Sequence, residues 1–426
     1  VSVNVRDHGA VGDGRANDTP ALQAAINSAA GCGGGVVVLP AGRYLSGAVR
    51  LASGVTLRLQ GGAVLAGSDD PGLYRPAWFA GDGLAPLIGA RDAEDVAIEG
   101  SGTIDGCGQP WWDRFAEWRR AGGKEADPGR QALAGHRPKL MMLEGCRNLR
   151  LAGLTLRNSP SWTVHLQRCH DVVMDSLRLS NPPHAPNSDG LNPISCRNVR
   201  ISNCLISVGD DAITLKSGVE GQGLPPCENI AIVNCIVESG HGGVVIGSEM
   251  SGGVRNVTVS NCVFDGTYRG IRIKTRRGRG GAVEHVLAQG IIMRDVPFPL
   301  LVDAYYYDFD EQRLSPRPAD AGTPAIRHVH LRDIDAYNAR KAAHLVGLPE
   351  MPLEDFSLSG VRVEARRGIM ARCIRGLRLM DMDIRPHEGP PLTAELVEGI
   401  RCDDTIAPGS GPLELHEGQY KTPLKD

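Results

Sequence analysis

The sequence predicts an all-β fold, a right-handed parallel β-helix (a solenoid) with a short capping helix at its N-terminal end. Three observations predict it. A segment that opens on a polar turn residue and runs into alternating apolar positions recurs along the chain, as in Asn198-Val199-Arg200-Ile201-Ser202-Asn203-Cys204, again from Asn229 to Cys235, and again from Asn256 to Cys262. The starts lie 27 residues apart from Asp171 to Asn198, 31 to Asn229 and 27 to Asn256, periods that belong to stacked solenoid units. Alternation with period two builds each unit from strands, because a helical repeat needs i, i+3, i+4 spacing. The composition agrees, with 54 glycines for tight turns and only 4 % aromatics in 426 residues.

Taken in order, the elements fit one domain over 1–426, with residues 1–70 forming the cap and first coils. Val3 to Gly14 reads as a strand entering Gly-rich turns. A helix follows, capped by Asp18 or Thr19, with Pro20 in its first turn. Leu22, Ala25, Ile26 and Ala29 give it one narrow apolar stripe, and Gly31 to Gly35 ends it before the strand Val36 to Leu39. From about residue 90 the repeat takes over, with weaker copies starting at Asp95, Asp171, His285, His328 and Asp355. Asn at a recurring turn is a structural turn-former whose amide can bond to the next coil. Two stretches interrupt the period, 106–139 and 303–324. Inserted loops of this kind rim a binding face. Trp111 and Trp112 in the first are expected as a rim platform, and Trp162 as core.

Charge is nearly balanced, 46 Lys+Arg against 49 Asp+Glu, so no global field favours nucleic acid or a membrane surface. No apolar run reaches the length of a transmembrane span. The cationic run Arg272 to Arg279 is too short and too poor in aromatics for nucleic acid, and its end, Arg276 to Arg279, reads as a solvated turn. Eleven cysteines leave at least one unpaired. Cys204, Cys235 and Cys262 share one phase of the repeat, as small apolar residues stacked in a core do. That pattern favours a reducing, cytoplasmic compartment; the alternative is a secreted or periplasmic protein whose signal peptide has been removed.

The chemistry lies in four consecutive repeats. Asp189 sits in Asn187-Ser188-Asp189-Gly190, Asp210 and Asp211 in Gly209-Asp210-Asp211-Ala212, His241 in Gly240-His241-Gly242-Gly243, and Arg272 with Lys274 in Arg272-Ile273-Lys274-Thr275. Each taken alone has a bland reading: an Asp-Gly turn, a satisfied histidine, a solvated strand face. In phase on neighbouring coils about 4.8 Å apart, they would span on the order of 15 Å, room for two or three sugar rings. Three carboxylates in such a patch cannot all ionise freely, so one is held protonated beside an ionised partner. Glycosidic cleavage requires that pairing, and the adjacent cations suit an acidic polymer. His165, one repeat earlier, is a candidate for lining the same cleft.

With these four motifs, in this order, the sequence resembles glycoside hydrolase family 28, the polygalacturonases. The resemblance runs from the opening Asp7-His8-Gly9-Ala10-Val11-Gly12-Asp13-Gly14 to the Tyr306 region. It implies an inverting hydrolase that needs no metal or other cofactor. It implies Asp210 as the general acid, Asp189 and Asp211 as the pair that activates water, and His241 as tuning the carboxylates. Arg272 and Lys274 would grip galacturonate carboxylates, and Tyr306 resembles the family's substrate-binding tyrosine; Asn187, from its motif, and His165, from its place one repeat earlier, are added as candidate substrate-binding residues. Ser188 stands where threonine is usual and keeps the hydroxyl. Retention of His241 and of the Arg272-Lys274 pair favours galacturonan over a rhamnogalacturonan backbone. The sequences around Gly242–Met250 and Thr275–Gly280 look like bacterial members, often exo-acting, and the 106–139 insertion would close one end of the cleft. Endo action and xylogalacturonan or rhamnogalacturonan hydrolysis are the alternatives within the family. A Ca²⁺-dependent pectate lyase and a non-catalytic β-solenoid binding module are the rivals outside it.

Overall fold

The computed structural model describes residues 1–79, 83–121, 137–306, 315–403, 405–406 and 408–409. Its 31 strands form one continuous parallel system in which each strand pairs with its counterpart a coil away. Val164–Gln167, for example, lies between Met141–Glu144 and Leu191–Ile194. The chain is therefore a parallel β-helix, as its repeats predict.

The turns explain why the repeat begins on Asn or Asp. Asp95, Asn148, Asp171, Asn198, Asn229, Asn256, His285, His328 and Asp355 all hold positive φ, between 49 and 59°. That left-handed conformation is least costly for Gly and for short polar side chains that bond locally. Stacking adds the second reason. The Asn198 amide donates to Asp171 Oδ1 at 2.8 Å, Asn229 to Asn198 at 3.0 Å, and Asn256 to Asn229 at 3.0 Å. Beyond Asn256 the ladder continues as stacked imidazoles, His285 on His328, with ring centroids 4.9 Å apart.

Alternation fills the interior. Ile213, Leu215, Val244, Ile246, Ile271 and Ile273 point inward and are buried, each contributing roughly 1.5–3 kcal/mol by leaving water. Cys204, Cys235 and Cys262 are buried thiols on three successive coils. All eleven cysteines are free. The intervening residues Thr214, Val245, Arg272 and Lys274, with Lys216 one residue past its strand, alternate with these core positions and belong to the face described below.

Helix α1, Thr19–Gly31, covers the first coils with Leu22, Ala25, Ile26 and Ala29 buried. Asp18 stands at its N-cap position but does not cap it; the carboxylate accepts from Val11 N–H at 2.7 Å and Gly12 N–H at 3.2 Å. Thr19 Oγ1 instead ties the helix to the first coil, accepting from Gly47 N–H at 2.7 Å. The stretch 106–139 holds a second helix, α2, Gln109–Arg120, which the loop reading missed. Trp111, Trp112 and Phe115 are its buried face, so the two tryptophans are core and not a rim platform. Trp111 packs edge-on to Tyr74 at 5.6 Å. Among the described residues no helix is long and apolar enough to cross a membrane.

Candidate active site

Seven stacked strands carry the site: β1 Met141–Glu144, β2 Val164–Gln167, β3 Leu191–Ile194, β4 Asp211–Leu215, β5 Gly242–Gly247, β6 Arg269–Lys274 and β7 Phe298–Asp303. Leu191 pairs with Ile213, and Gly190 N–H donates to the Asp211 carbonyl at 3.0 Å. Asp189 therefore stacks directly on Asp211. Gly242 lies beside Asp211 on the next coil, and a side chain there would meet Asp211 Oδ1 at 3.1 Å. The glycine after His241 thus keeps the space next to the carboxylate open.

The three carboxylates stand in three different environments. Asp211 is 2 % exposed, with Lys274 Nζ at 2.6 Å from Oδ2 and Arg272 Nη1 at 3.8 Å from Oδ1. Burial opposes its ionisation, but these two cations outweigh it and hold the carboxyl well below the usual range. Asp189 is 4 % exposed, with Lys216 Nζ at 3.7 Å. Burial and repulsion from Asp210 win over that single, more distant ammonium and push Asp189 up to about 8. Asp210 has the most open side chain of the three, 23 % exposed. Its Oδ1 lies 3.1 Å from His241 Nδ1 and accepts the Asp211 N–H at 2.9 Å. Burial would raise Asp210, but the His241 charge and hydrogen bond hold it below its ordinary value, and Asp210 in turn raises His241. One buried proton thus rests beside two ionised carboxylates.

The other residues singled out in the sequence fall on or beside this face. Tyr306 places its ring 5.2 Å from both the Arg272 guanidinium and Lys274 Nζ. Ile273 between those cations points into the core. His165 is fully buried on β2 and pairs in register with Asn192 of β3. Arg137 Nη2 donates to Asn187 Oδ1 at 2.7 Å. Arg137 also donates to the Pro160 carbonyl at 3.0 Å and covers the Phe115 ring at 3.9 Å, so it locks the α2 excursion onto the loop that carries Asp189. Arg277 and Arg279 are not a solvated turn. Arg277 Nε reaches Glu350 at 2.6 Å, and buried Arg279 reaches Glu220 at 2.9 Å. Tyr307 lies outside the described residues.

Sequence reasoning missed Lys216, Glu249 and the true position of Trp162. Lys216 Nζ lies 3.5 Å from Glu249 as well as 3.7 Å from Asp189, and 4.3 Å from the centroid of the Trp162 ring. Burial opposes the charge of Lys216, but Glu249 and Asp189 more than restore it and raise its pKa. Trp162 is half-buried, stacks on His165 at 5.2 Å and forms a cleft wall instead of core. A signal for Lys216 was present. The repeat steps of 31 and 27 carry Lys216 to Gly247 and then to Lys274, and the observed register puts Gly247 against Lys274.

An acid, an ionised base and a cationic rim on one face suit hydrolysis of a glycosidic bond in an anionic chain. Comparison with known proteins agrees with that chemistry. The model of glycosyl hydrolases family 28 matches residues 35–375, and that of rhamnogalacturonase A/epimerase, pectate lyase-like, matches residues 2–63. A probable polygalacturonase from Vitis vinifera is 34 % identical over 380 residues, covering 85 % of this chain and 74 % of the relative. An endo-polygalacturonase from Pectobacterium carotovorum subsp. carotovorum is 31 % identical over 307 residues, covering 68 % and 72 %. The crystal structure of a hyperthermoactive exopolygalacturonase from Thermotoga maritima superposes with a TM-score of 0.75 at 28 % identity, covering 90 % of this chain and 92 % of that one. With a family match over well beyond half its length, this chain belongs to glycosyl hydrolase family 28.

Proposed function

We propose that the enzyme hydrolyses α-1,4 bonds between galacturonates in polygalacturonate and pectic oligogalacturonides, with inversion and from a chain end. The observation that carries this reading is the division of labour among the three aspartates. Asp210 alone presents an open carboxyl, so it is the group that can reach a glycosidic oxygen. Seating that oxygen excludes water from Asp210 and raises its pKa, which draws to it the proton it shares electrostatically with Asp189. The same transfer leaves Asp189 ionised over Asp211. Asp210 then gives its proton to the leaving oxygen as the bond to C1 breaks. Water held by Asp189 and Asp211 attacks C1 from the opposite face and yields its proton to that pair, which inverts the anomeric centre.

Arg272 and Lys274, with Tyr306 beside them, supply charge-assisted bonds to a uronate carboxylate. The ammonium and guanidinium on Asp211 also make this carboxylate cluster a poor oxygen cage for Ca²⁺, which speaks for hydrolysis over elimination. Chain-end action is supported by the likeness to an exopolygalacturonase and by the α2 excursion, fastened by Arg137 against one side of the Asp189 loop. The buried free cysteines support a reducing compartment.

The test is product profiling on polygalacturonic acid with EDTA, wild type against Asp210→Asn. Monogalacturonate from the first time points, with activity at least about 10³-fold lower in the folded variant, is the expected result. A ladder of mixed oligomers would reverse chain-end action. Retained activity in Asp210→Asn would remove Asp210 as the acid, and absorbance of an unsaturated product would replace hydrolysis with elimination.

A further inference from the structure

We infer that Lys139, with His165 and Asn192, forms a second carboxylate-recognition subsite on the side of the catalytic aspartates opposite Arg272 and Lys274. It would take the uronate carboxylate and neighbouring hydroxyls of the sugar on that side of the cleaved bond. This rests on the galacturonate reading above, and it adds Lys139 and Asn192, which that reading does not use, to the cleft candidate His165.

The placement follows from register. Leu140 N–H donates to the Trp162 carbonyl at 3.2 Å, Thr163 N–H donates to the Asp189 carbonyl at 2.9 Å, and Gly190 N–H donates to the Asp211 carbonyl at 3.0 Å. Lys139, Trp162, Asp189 and Asp211 therefore stand in one column on four successive coils. Lys139 lies two coils before Asp189, about 10 Å at the strand spacing. Arg272 and Lys274 lie two coils beyond Asp211. The carboxylates thus sit midway between two cationic positions.

The chemistry of the position asks for an anion. Lys139 Nζ lies 5.6 Å from the centroid of the Trp162 ring and 4.0 Å from Met142 Sδ, and among the described residues no carboxylate comes within 4.0 Å of it. By contrast, Lys216 and Lys274 each hold an aspartate. Met142 pairs in register with His165, so Lys139 leans over the next column of the cleft. There, His165 and Asn192 are both 0 % exposed, and among the described residues no protein group hydrogen-bonds His165 Nδ1 or either polar atom of the Asn192 amide. Leaving such atoms unpaired costs on the order of 1–3 kcal/mol per group. A uronate bound over this column would offer each of them a partner: a carboxylate or hydroxyl oxygen for the amide N–H, a hydroxyl each for the amide oxygen and His165 Nδ1, and an anion for the ammonium. Trp162, fixed by stacking on His165 and by Lys216 near its ring, sets the wall against which Lys139 is held.

The test is calorimetric binding of trigalacturonate to the inactive Asp210→Asn enzyme, alone and combined with Lys139→Met or Lys139→Arg. Lys139→Met should weaken binding about tenfold to a hundredfold, and Lys139→Arg should recover most of the loss. Binding unchanged within twofold in Lys139→Met overturns the subsite. So does equal loss in Lys139→Met and Lys139→Arg, which makes Lys139 a packing residue. Lys139→Gln carries the same comparison if thermal melting shows that Lys139→Met does not fold. Absence of trigalacturonate binding in folded Asp210→Asn with Lys139 intact overturns the galacturonate reading itself, and is seen before Lys139 is changed.

Discussion

Asp189 and Asp211 are the same side chain, stacked on adjacent coils and almost equally buried, yet burial and repulsion push the first up to about 8 while two cations hold the second well below the usual carboxylate range. Distance to the cation makes the difference: 2.6 Å from Lys274 to Asp211 against 3.7 Å from Lys216 to Asp189, with Arg272 adding to the former. The consequence for stability has a definite sign. The folded-state value of Asp189 is raised from an ordinary 3.8 to about 8, so its contribution is full below about pH 3.8 and is lost as pH rises through about 8. Asp189→Asn should leave the melting temperature unchanged at pH 4 and raise it at pH 8.5, by an amount corresponding to about 1–2 kcal/mol. Equal shifts at both pH values would mean that Asp189 is not the buried proton. All three aspartates, His241, Arg272 and Lys274 were legible in the sequence because their motifs fall in phase with the repeat. Lys139 and Trp162 were not. They precede Asp189 over steps of 23 and 27 residues, and Asp211 follows after another 22, so only the observed register reveals that they share a column.

At the scale of the element, the turn ladder was legible and α2 was not, for related reasons. An Asn at a corner serves two demands, positive φ and a bond to the next coil, and so it recurs at a readable period. Asn229 has φ of 59°, donates to Asn198 and accepts from Asn256, both at 3.0 Å. Asn229→Gly loses the two exposed bonds and keeps the conformation. Asn229→Ala loses the bonds and adds left-handed strain of about 1–2 kcal/mol. Urea unfolding should therefore rank wild type above Gly above Ala, with Ala about 1 kcal/mol or more below Gly; Gly and Ala equally far below wild type would show that the ladder bonds, and not the backbone, select Asn. Helix α2 has no such recurrence. Its signals were local: Pro110 in the first turn after Gly108, and Trp111, Trp112 and Phe115 on one side. Inside an interruption of a strand repeat, those aromatics read equally well as an exposed rim.

At the scale of the molecule, the charge that matters is not the net charge. With 46 cationic and 49 anionic side chains the chain carries a formal −3, which by itself repels a polyuronate weakly. Among the described residues, surface charge is paired along the coils, as in Arg58 with Glu99, Arg255 with Glu228 and Arg327 with Glu284, and exposed pairs of this kind contribute little beyond the solenoid surface. The cleft differs because cations stand on both sides of its three aspartates, with Lys216, Arg272 and Lys274 buried and Lys139 partly so. A polyanion should then feel attraction only within about a Debye length of the cleft, roughly 10 Å at 0.1 M salt. Raising NaCl from 0.05 to 0.5 M should therefore raise KM for polygalacturonate by roughly threefold to tenfold while kcat stays nearly constant, because the buried pairs that set the protonation states are shielded from added salt. A parallel fall in kcat would place the salt-sensitive charges at the reacting carboxylates themselves, and an unchanged KM would mean that recognition rests on hydroxyl contacts and shape instead of charge.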